Sequence, residues 1–521
     1  MAHTDSIKSE QQYIELYREA RQMIFDHSNE AMNVVRDQAF EDFQRLGFPS
    51  QKVERYKYTD IQKLFAPNYG LNLKRLTIPA DPYKVFSCDV PNLSTSLYFM
   101  VNDAFYTGGE EREVRDLGGE EREVRGERID SNPRFPDGVI IGSMAELFSH
   151  PSPIAPHHKN PSLLASHLQE FYARLARTDD DAVTALNTML AQDGLLVYVP
   201  KGVKVERTVQ VINMLKSPFG PSRPSPTPSP EGRGEPQQAS QRFSPPSGGG
   251  VGGGAAMVNR RVLIVLEEGA ELKMLFCDHT ADDGDFLTTQ VIEAYVGEGA
   301  QLELYCLEET HNKNVRVSNV YIDQQRDSRV VHNVITLHNG VTRNKLDLTL
   351  SGEGAECQCY GCVIADKRQH VDNNTLITHR ATHCTSHELY KYVLDDHATG
   401  AFAGRVLVNP GAQQTTSQMT NQNLCASRDA RMYTQPMLEI YADDVKCAHG
   451  STVGQLNDQA LFYMRQRGIP EEEARTLLEV AFINQVIDQI SLTPLRDRLH
   501  YLVEKRFRGE LNKCEGCKLC R

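Results

Sequence analysis

Apolar positions return every three or four residues from about residue 8 to residue 46. Ile14, Leu16, Tyr17, Ala20, Met23 and Ile24 form one series, and Met32, Val35, Ala39, Phe40 and Phe43 a second. This spacing predicts helices with one buried face. Gly47 and Pro49 predict their stop, because glycine accepts a left-handed cap and proline cannot continue a helix. From about 195 to 455 the period falls to two. Residues 195–215, 260–276, 288–309 and 344–364 read as alternating or wholly apolar strands broken by glycine-containing turns. One turn phrase recurs between strands: Glu268-Gly269-Ala270, Glu298-Gly299-Ala300 and Glu353-Gly354-Ala355. A strand–turn–strand unit repeated without intervening helices points to a stacked solenoid. The copies are unevenly spaced, 30 and then 55 residues apart, so a β-sandwich built from hairpins fits the spacing equally well.

The helical period returns after Asn457. Pro470 followed by Glu471, Glu472 and Glu473 suits a helix start, with acids at the positive end of the dipole. Ala474, Leu477, Leu478, Ala481 and Phe482 then predict one apolar face. That face serves either packing within the chain or docking of a partner, and periodicity does not separate the two. Two segments interrupt the pattern. Residues 108–126 contain GGEEREVR twice, and 217–256 are rich in proline, glycine and serine. Neither has enough apolar content to repay ordering. Residues 1–194 therefore form an N-terminal helical and mixed region, 195–457 a β core, 458–508 a C-terminal helical region and 509–521 a cysteine-rich tail.

Composition narrows the function classes. At 521 residues, 40% hydrophobic and 24% charged, the chain has ample material for buried cores. A formal charge of −13 and the lack of a basic stripe argue against nucleic acid as a partner. The first residues lack the apolar stretch of a secretory signal, and no apolar run has the length of a membrane span. A cytoplasmic protein with mostly reduced thiols is expected from its twelve scattered cysteines. No Walker A loop, GxGxxG in strand–helix context or GxSxG is present, so no nucleotide site is expected.

Three groups of residues carry candidate chemistry. Cys514, Cys517 and Cys520 have a C-x2-C-x2-C spacing suited to zinc or an iron–sulfur cluster, short of a fourth ligand. Cys357 and Cys359 share a strand face, with Gly361 as a turn before Cys362; buried core positions explain them better than a metal. Cys447 and His449, two apart before Gly450, would face one side of a strand and are good ligands for iron or zinc.

Several phrases taken together resemble one family. Arg55-Tyr-Lys-Tyr-Thr59, Ser386-His-Glu-Leu-Tyr-Lys391 with Gly400-Ala-Phe-Ala-Gly404, and 438–450 (LEIYADDVKCAHG) continuing to 461–468 (LFYMRQRG) are similar to segments of the SufB/SufD family of iron–sulfur assembly scaffolds. The resemblance runs from roughly 10 to 508, outside the two insertions. Gly450, where B-type chains carry Glu after the matching His, aligns it with the D-type branch. The resemblance implies a mainly β fold, a right-handed parallel β-helix between helical ends. It implies pairing with a SufB-like subunit through β-helix edges and docking of a SufC-like ABC ATPase on the C-terminal helices, at Pro470, Leu477, Leu478 and Phe482. ATP hydrolysis then belongs to the partner, and this chain is a non-catalytic scaffold. It further implies that His449, beside Cys447, helps hold iron or a transient iron–sulfur cluster at the interface of the two subunits. The insertions and the cysteine tail depart from the family pattern. Two other readings are a stand-alone cysteine-based metal carrier and, more remotely, a polysaccharide-active β-helix enzyme, which would need an export signal.

Overall fold

The computed structural model describes residues 9–78, 95–106, 135–149, 161–217 and 255–510, together with residues 82 and 93. The tandem charged repeat, most of the second insertion and the tail cysteines Cys514, Cys517 and Cys520 lie outside them.

Nineteen strands among the described residues, numbered β1 to β19 in chain order, fall into two sheets. From β4 (Leu195–Val199) to β19 (Val445–Gly454), successive strands alternate between the sheets and pair in parallel with the strand one coil earlier. The result is a parallel β-solenoid of about seven turns, not a sandwich of hairpins. The repeat is visible in single contacts: the Lys367 amide donates to Asp396, 29 residues further on. Side chains alternate between the interior and an outer face. Leu272, Leu302, Val330 and Cys357 line the interior, and Leu275, Tyr305, Ile335 and Cys362 point outward from the same sheet.

The uneven spacing of the Glu-Gly-Ala turns has a simple cause. The Gly269 amide donates to Glu298 O, that of Gly299 to Arg326 O, that of Asp327 to Glu353 O, and that of Gly354 to Thr382 O. Each is one coil from the next, and each is left-handed: Gly269 at φ 68°, Gly299 at 66°, Asp327 at 53° and Gly354 at 70°. Asp327 fills the coil that lacks the phrase, since aspartate tolerates this conformation better than most residues. The alanines that follow, Ala270, Ala300 and Ala355, turn into the core, and Ser328 and Cys384 take the same place in their own coils.

The solenoid's two ends differ. β1 (Thr95–Val101) pairs in parallel with β5 (Thr208–Leu215) and is followed by β2, the two-residue antiparallel strand Ala104–Phe105. On the other sheet β3 (Ile140–Ser143) lies antiparallel on β4. The sheets thus begin before residue 195, where the period-two pattern placed the start of the β core. At the far end β18 (Arg431–Ile440) and β19, ten residues each, finish the two sheets.

Helices cover both outer faces. Gln11–Asp26, Arg36–Leu46 and Ala182–Leu190 pack against Met257, Leu287 and Val317 of the nine-stranded sheet. Glu471–Ile487 and Thr493–Phe507 pack through Ile483, Val486, Ile487, Leu499 and Leu502 on the ten-stranded one. The apolar face expected at Ala474, Leu477, Leu478, Ala481 and Phe482 is therefore displaced. Ala474 is buried, whereas Leu477 and Ala481 point to solvent.

The Arg55–Thr59 phrase straps the N-terminal region onto its sheet. Arg55 pairs with Asp347, the Tyr56 hydroxyl donates to Asp181 at 2.7 Å, and Thr59 donates to Asp372 at 2.6 Å. Tyr58 stacks on Tyr433 with centroids 5.1 Å apart. Asp181 caps the Ala182–Leu190 helix through the Thr184 amide (2.9 Å) and accepts from the buried Lys345 ammonium (3.0 Å). Burial alone would raise the Asp181 carboxyl; Lys345 and the converging donors outweigh it and hold the group below the usual carboxylate range. Substituting Lys345→Met leaves that carboxylate buried without its cation, so stability should fall by about 3–5 kcal/mol, read as a lower urea midpoint than wild type.

Candidate functional site

The candidate residues Cys447 and His449 lie on β19, the last strand of the ten-stranded sheet. That strand pairs with β17 (Thr415–Cys425) on one side, in the register Ser417↔Cys447 and Met419↔His449, and with no strand on the other among the described residues. Its counterpart β18 likewise pairs only with Thr399–Val408. The two end strands are tied together by the Thr434 and Ser451 hydroxyls, 2.7 Å apart. The turn between them is pinned by the Gln414 amide on Asp444 O (2.6 Å) and the Asp444 amide on Gln413 Oε1 (2.9 Å), with Ala442 folded inward.

Cys447 and His449 share one side of the strand, the face the two-residue spacing predicts in common, and register with Met419 makes it the interior side. Cys447 is half-buried against the end of the core, and burial pushes its thiol up. His449 is exposed at the mouth of the solenoid. The imidazole is open to a metal ion arriving from outside, and the half-buried thiol lies two residues away on the same strand. Around them the end coil carries Tyr433, Ile440, Tyr441 and Val453, all exposed, Tyr441 to 62%. This apolar rim was not singled out in the sequence, because these residues continue the alternation of buried strands; only the lack of a following coil exposes them.

Behind the mouth, Glu388 stands in register with Met419 and shares its interior row. Its Oε2 accepts from Thr375 (2.7 Å), and its Oε1 has no partner. Burial lifts the carboxyl to about 7, against the opposing pull of the Thr375 hydrogen bond. The cysteines 357, 359 and 362 are buried, as the core reading expects. Gly361, expected as a turn, lies mid-strand in β13 (Glu356–Ala365), where a Cβ would fall 2.1 Å from the Tyr390 ring. Among the described residues no three histidine, cysteine or acidic side chains are grouped to hold a metal ion.

The C-terminal helices form a second surface on the same sheet. Pro470 precedes the first residue of Glu471–Ile487, its φ of −54° preset for the entry. Leu477 is 39% exposed and Leu478 half-buried, while Phe482 faces inward, its ring 4.2 Å from the Lys391 ammonium. Lys391 also bonds Gln485, and burial lowers it to about 8. Asn457 caps the preceding helix, Asp458–Gln466, through two amides at 2.9 and 3.1 Å, and that helix exposes Phe462 and Tyr463. Leu477 thus faces solvent, and Phe482 is committed largely to the chain's own core. No helix among the described residues is long and apolar enough to cross a membrane.

A raised carboxyl destabilises the fold once it must ionise. The Glu388 contribution is fully present below the unfolded value of about 4.5 and is lost as pH rises through about 7. Glu388→Gln should therefore melt above wild type at pH 8, with the gap closing toward pH 5. A gap independent of pH would place the effect elsewhere.

Two family models match this chain: the SufBD protein N-terminal region over residues 7–211, and the SufBD core domain of the SUF system for FeS cluster assembly over 250–482. An iron–sulfur cluster assembly SufBD family protein of Synechocystis is 32% identical over 257 residues, 48% of this chain and 57% of the relative. The iron–sulfur cluster assembly protein SufD of Escherichia coli is 32% identical over 183 residues, 35% of this chain and 43% of the relative. SufD of Bacillus subtilis is 23% identical over 336 residues, 63% of this chain and 68% of the relative. The chain thus spans about half the length of the first two relatives. Matched from its N-terminal helices through the solenoid to the helix after Pro470, and with SufD proteins of two bacteria among its relatives, the chain belongs to the SufBD family of iron–sulfur cluster assembly proteins, on its SufD-like side.

Proposed function

We propose that the chain is the SufD-type subunit of a cytoplasmic SufBCD-like assembly. It pairs with a SufB-like subunit through the open end of the solenoid and docks a SufC-like ATPase on its C-terminal helices. The observation that carries this reading is the contrast between the two ends. The first coil finishes in edge strands of two and four residues, the last in two strands of ten. A long uncovered edge strand is a liability in a protein that works alone. It is the natural template for a partner's strands. The exposed Tyr433, Ile440, Tyr441 and Val453 supply apolar area around that edge.

Seated there, His449 lies at the subunit boundary with Cys447 behind it. An imidazole from one chain completed by a thiolate from the other forms a shell that opens when the subunits move, as a cluster destined for transfer requires. Iron or a nascent cluster is then cargo held at the boundary. The chain's own part is positional: the end-coil turn fixes the strand, and the strand holds the imidazole exposed at the mouth of the solenoid. No phosphate-binding loop is present in this chain, so nucleotide-driven work falls to the ATPase. Leu477, Phe462 and Tyr463 offer it an exposed apolar surface near Pro470. A stand-alone metal carrier gives no role to the long open edges.

Co-expression with the organism's own SufB- and SufC-like proteins separates the parts. Leu477→Asp should lose the ATPase from this chain while retaining the SufB-like subunit. Tyr441→Asp should weaken the SufB-like contact by about tenfold or more, the effect of losing about 1.4 kcal/mol or more. His449→Ala should leave the assembly intact and lower the iron and acid-labile sulfide recovered with it. Normal cluster content in the His449→Ala assembly would remove His449 from the site.

A further inference from the structure

Strand register creates a row inside the solenoid. His332 pairs with Cys359, Cys359 with Glu388, Glu388 with Met419 and Met419 with His449. Neighbouring strands are about 4.8 Å apart, so these donor side chains follow one another down the interior. Next to the row runs a second, Cys357, Ser386, Ser417 and Cys447. The rows meet as a thiol pair at Cys357 and Cys359, both buried and both on the interior face. The two thiols stand two residues apart on one strand and share its interior face. Cys384, at the adjoining corner, is also within electrostatic reach of Cys357. The Glu388 oxygen that lacks a partner belongs to the residue paired with Cys359.

We propose that Cys357 and Cys359 form a two-coordinate site for a thiophilic monovalent metal ion, copper(I), inside the solenoid. Soft thiolates select such an ion over harder ones. Two residues along a strand place the Cα atoms roughly 6.6 Å apart, at the long end of the disulfide range. Two opposed metal–sulfur bonds span roughly 4.6 Å, which side chains leaning toward each other from one face can reach. Cys384, the nearest further thiol, is turned to the Gly352 carbonyl at 3.3 Å, and no three histidine, cysteine or acidic side chains are grouped to hold a metal among the described residues, so two-coordinate capture is expected. On binding, both thiols release their protons to solvent and the S–M–S unit carries one negative charge. Met419 and His449 continue the row to the exposed mouth. The proposal is independent of the partner assignments above.

The test uses the full chain with Cys447, Cys514, Cys517 and Cys520 replaced by serine, so that the end coil and the tail do not compete. Copper(I) is offered anaerobically as its bicinchoninate complex, and transfer is followed by loss of the complex's colour. One ion per chain should transfer, with X-ray absorption reporting two sulfur neighbours. Adding Cys359→Ala should lower the affinity at least 100-fold. Adding Cys362→Ala, which removes an equally buried thiol from the outer face of the same strand, should leave it unchanged. No transfer to the starting protein, retention of the ion in a folded Cys359→Ala chain, or a shell of three sulfurs or of nitrogen would each overturn the assignment.

Discussion

A parallel solenoid must satisfy every strand's amides and carbonyls with the coil before and the coil after it, and the last coil has no coil after it. This constraint governs the molecule. Where the solenoid begins, the two sheets finish in short antiparallel strands of two and four residues. Where the solenoid ends, β18 and β19 present full-length edges instead, and the chain leaves for a helical unit that covers the outer face of the sheet and leaves the end open. Backbone groups that would cost several kcal/mol if buried unpaired are tolerable at such an end only in water or against a partner.

The two outer faces are covered by different physical means. The C-terminal helices rest on an apolar layer of aliphatic and tyrosine side chains, with Arg506 fastening the last helix to Asp366 and Leu337 O. The N-terminal region meets its sheet through apolar contacts threaded with buried ions: Lys345 pairs with Asp181 across the boundary, while the in-sheet pairs Arg261–Glu293 and Arg343–Asp372 reach it through Thr188, the Ala176 amide and Arg55 O. Such pairs bring less net stability than their number suggests, because desolvation offsets the attraction. The Lys345–Asp181 pair does fix one docking geometry, since a shifted Ala182–Leu190 helix would leave both charges unpaired. The N-terminal strap thereby carries Tyr58 to the end coil, where it stacks on Tyr433. The region most distant in sequence thus braces the strand opposite His449.

Much of this was legible in the sequence. Period-two alternation located the β core, and Pro470 with the acids after it located a helix start. Cys447 and His449 share a face because strand geometry dictates it. What alternation does not carry is pairing: it assigns faces within one strand and is silent on which strand lies beside it. Solenoid and sandwich therefore fitted equally until family resemblance was weighed. Asp327 hid one repeat by adopting a backbone usually left to glycine. The burial of Ile483, Val486 and Ile487 in place of Leu477 and Ala481 reflects where the helix meets Val393 and Tyr360, a tertiary fact. The interior row from His332 to His449 was invisible for the same reason, since its members are about thirty residues apart and only register aligns them.

The open edge is the claim on which the functional account stands, and amide hydrogen exchange reads it directly. Exchange across Val445–Gly454 and Arg431–Ile440 should be measured in the isolated chain and again in the assembly with the SufB-like subunit. Strong protection of these two strands on assembly, with little change at Thr95–Val101, is the predicted result. Unchanged exchange at both end strands in a stable assembly would contradict the account and move the contact to another face.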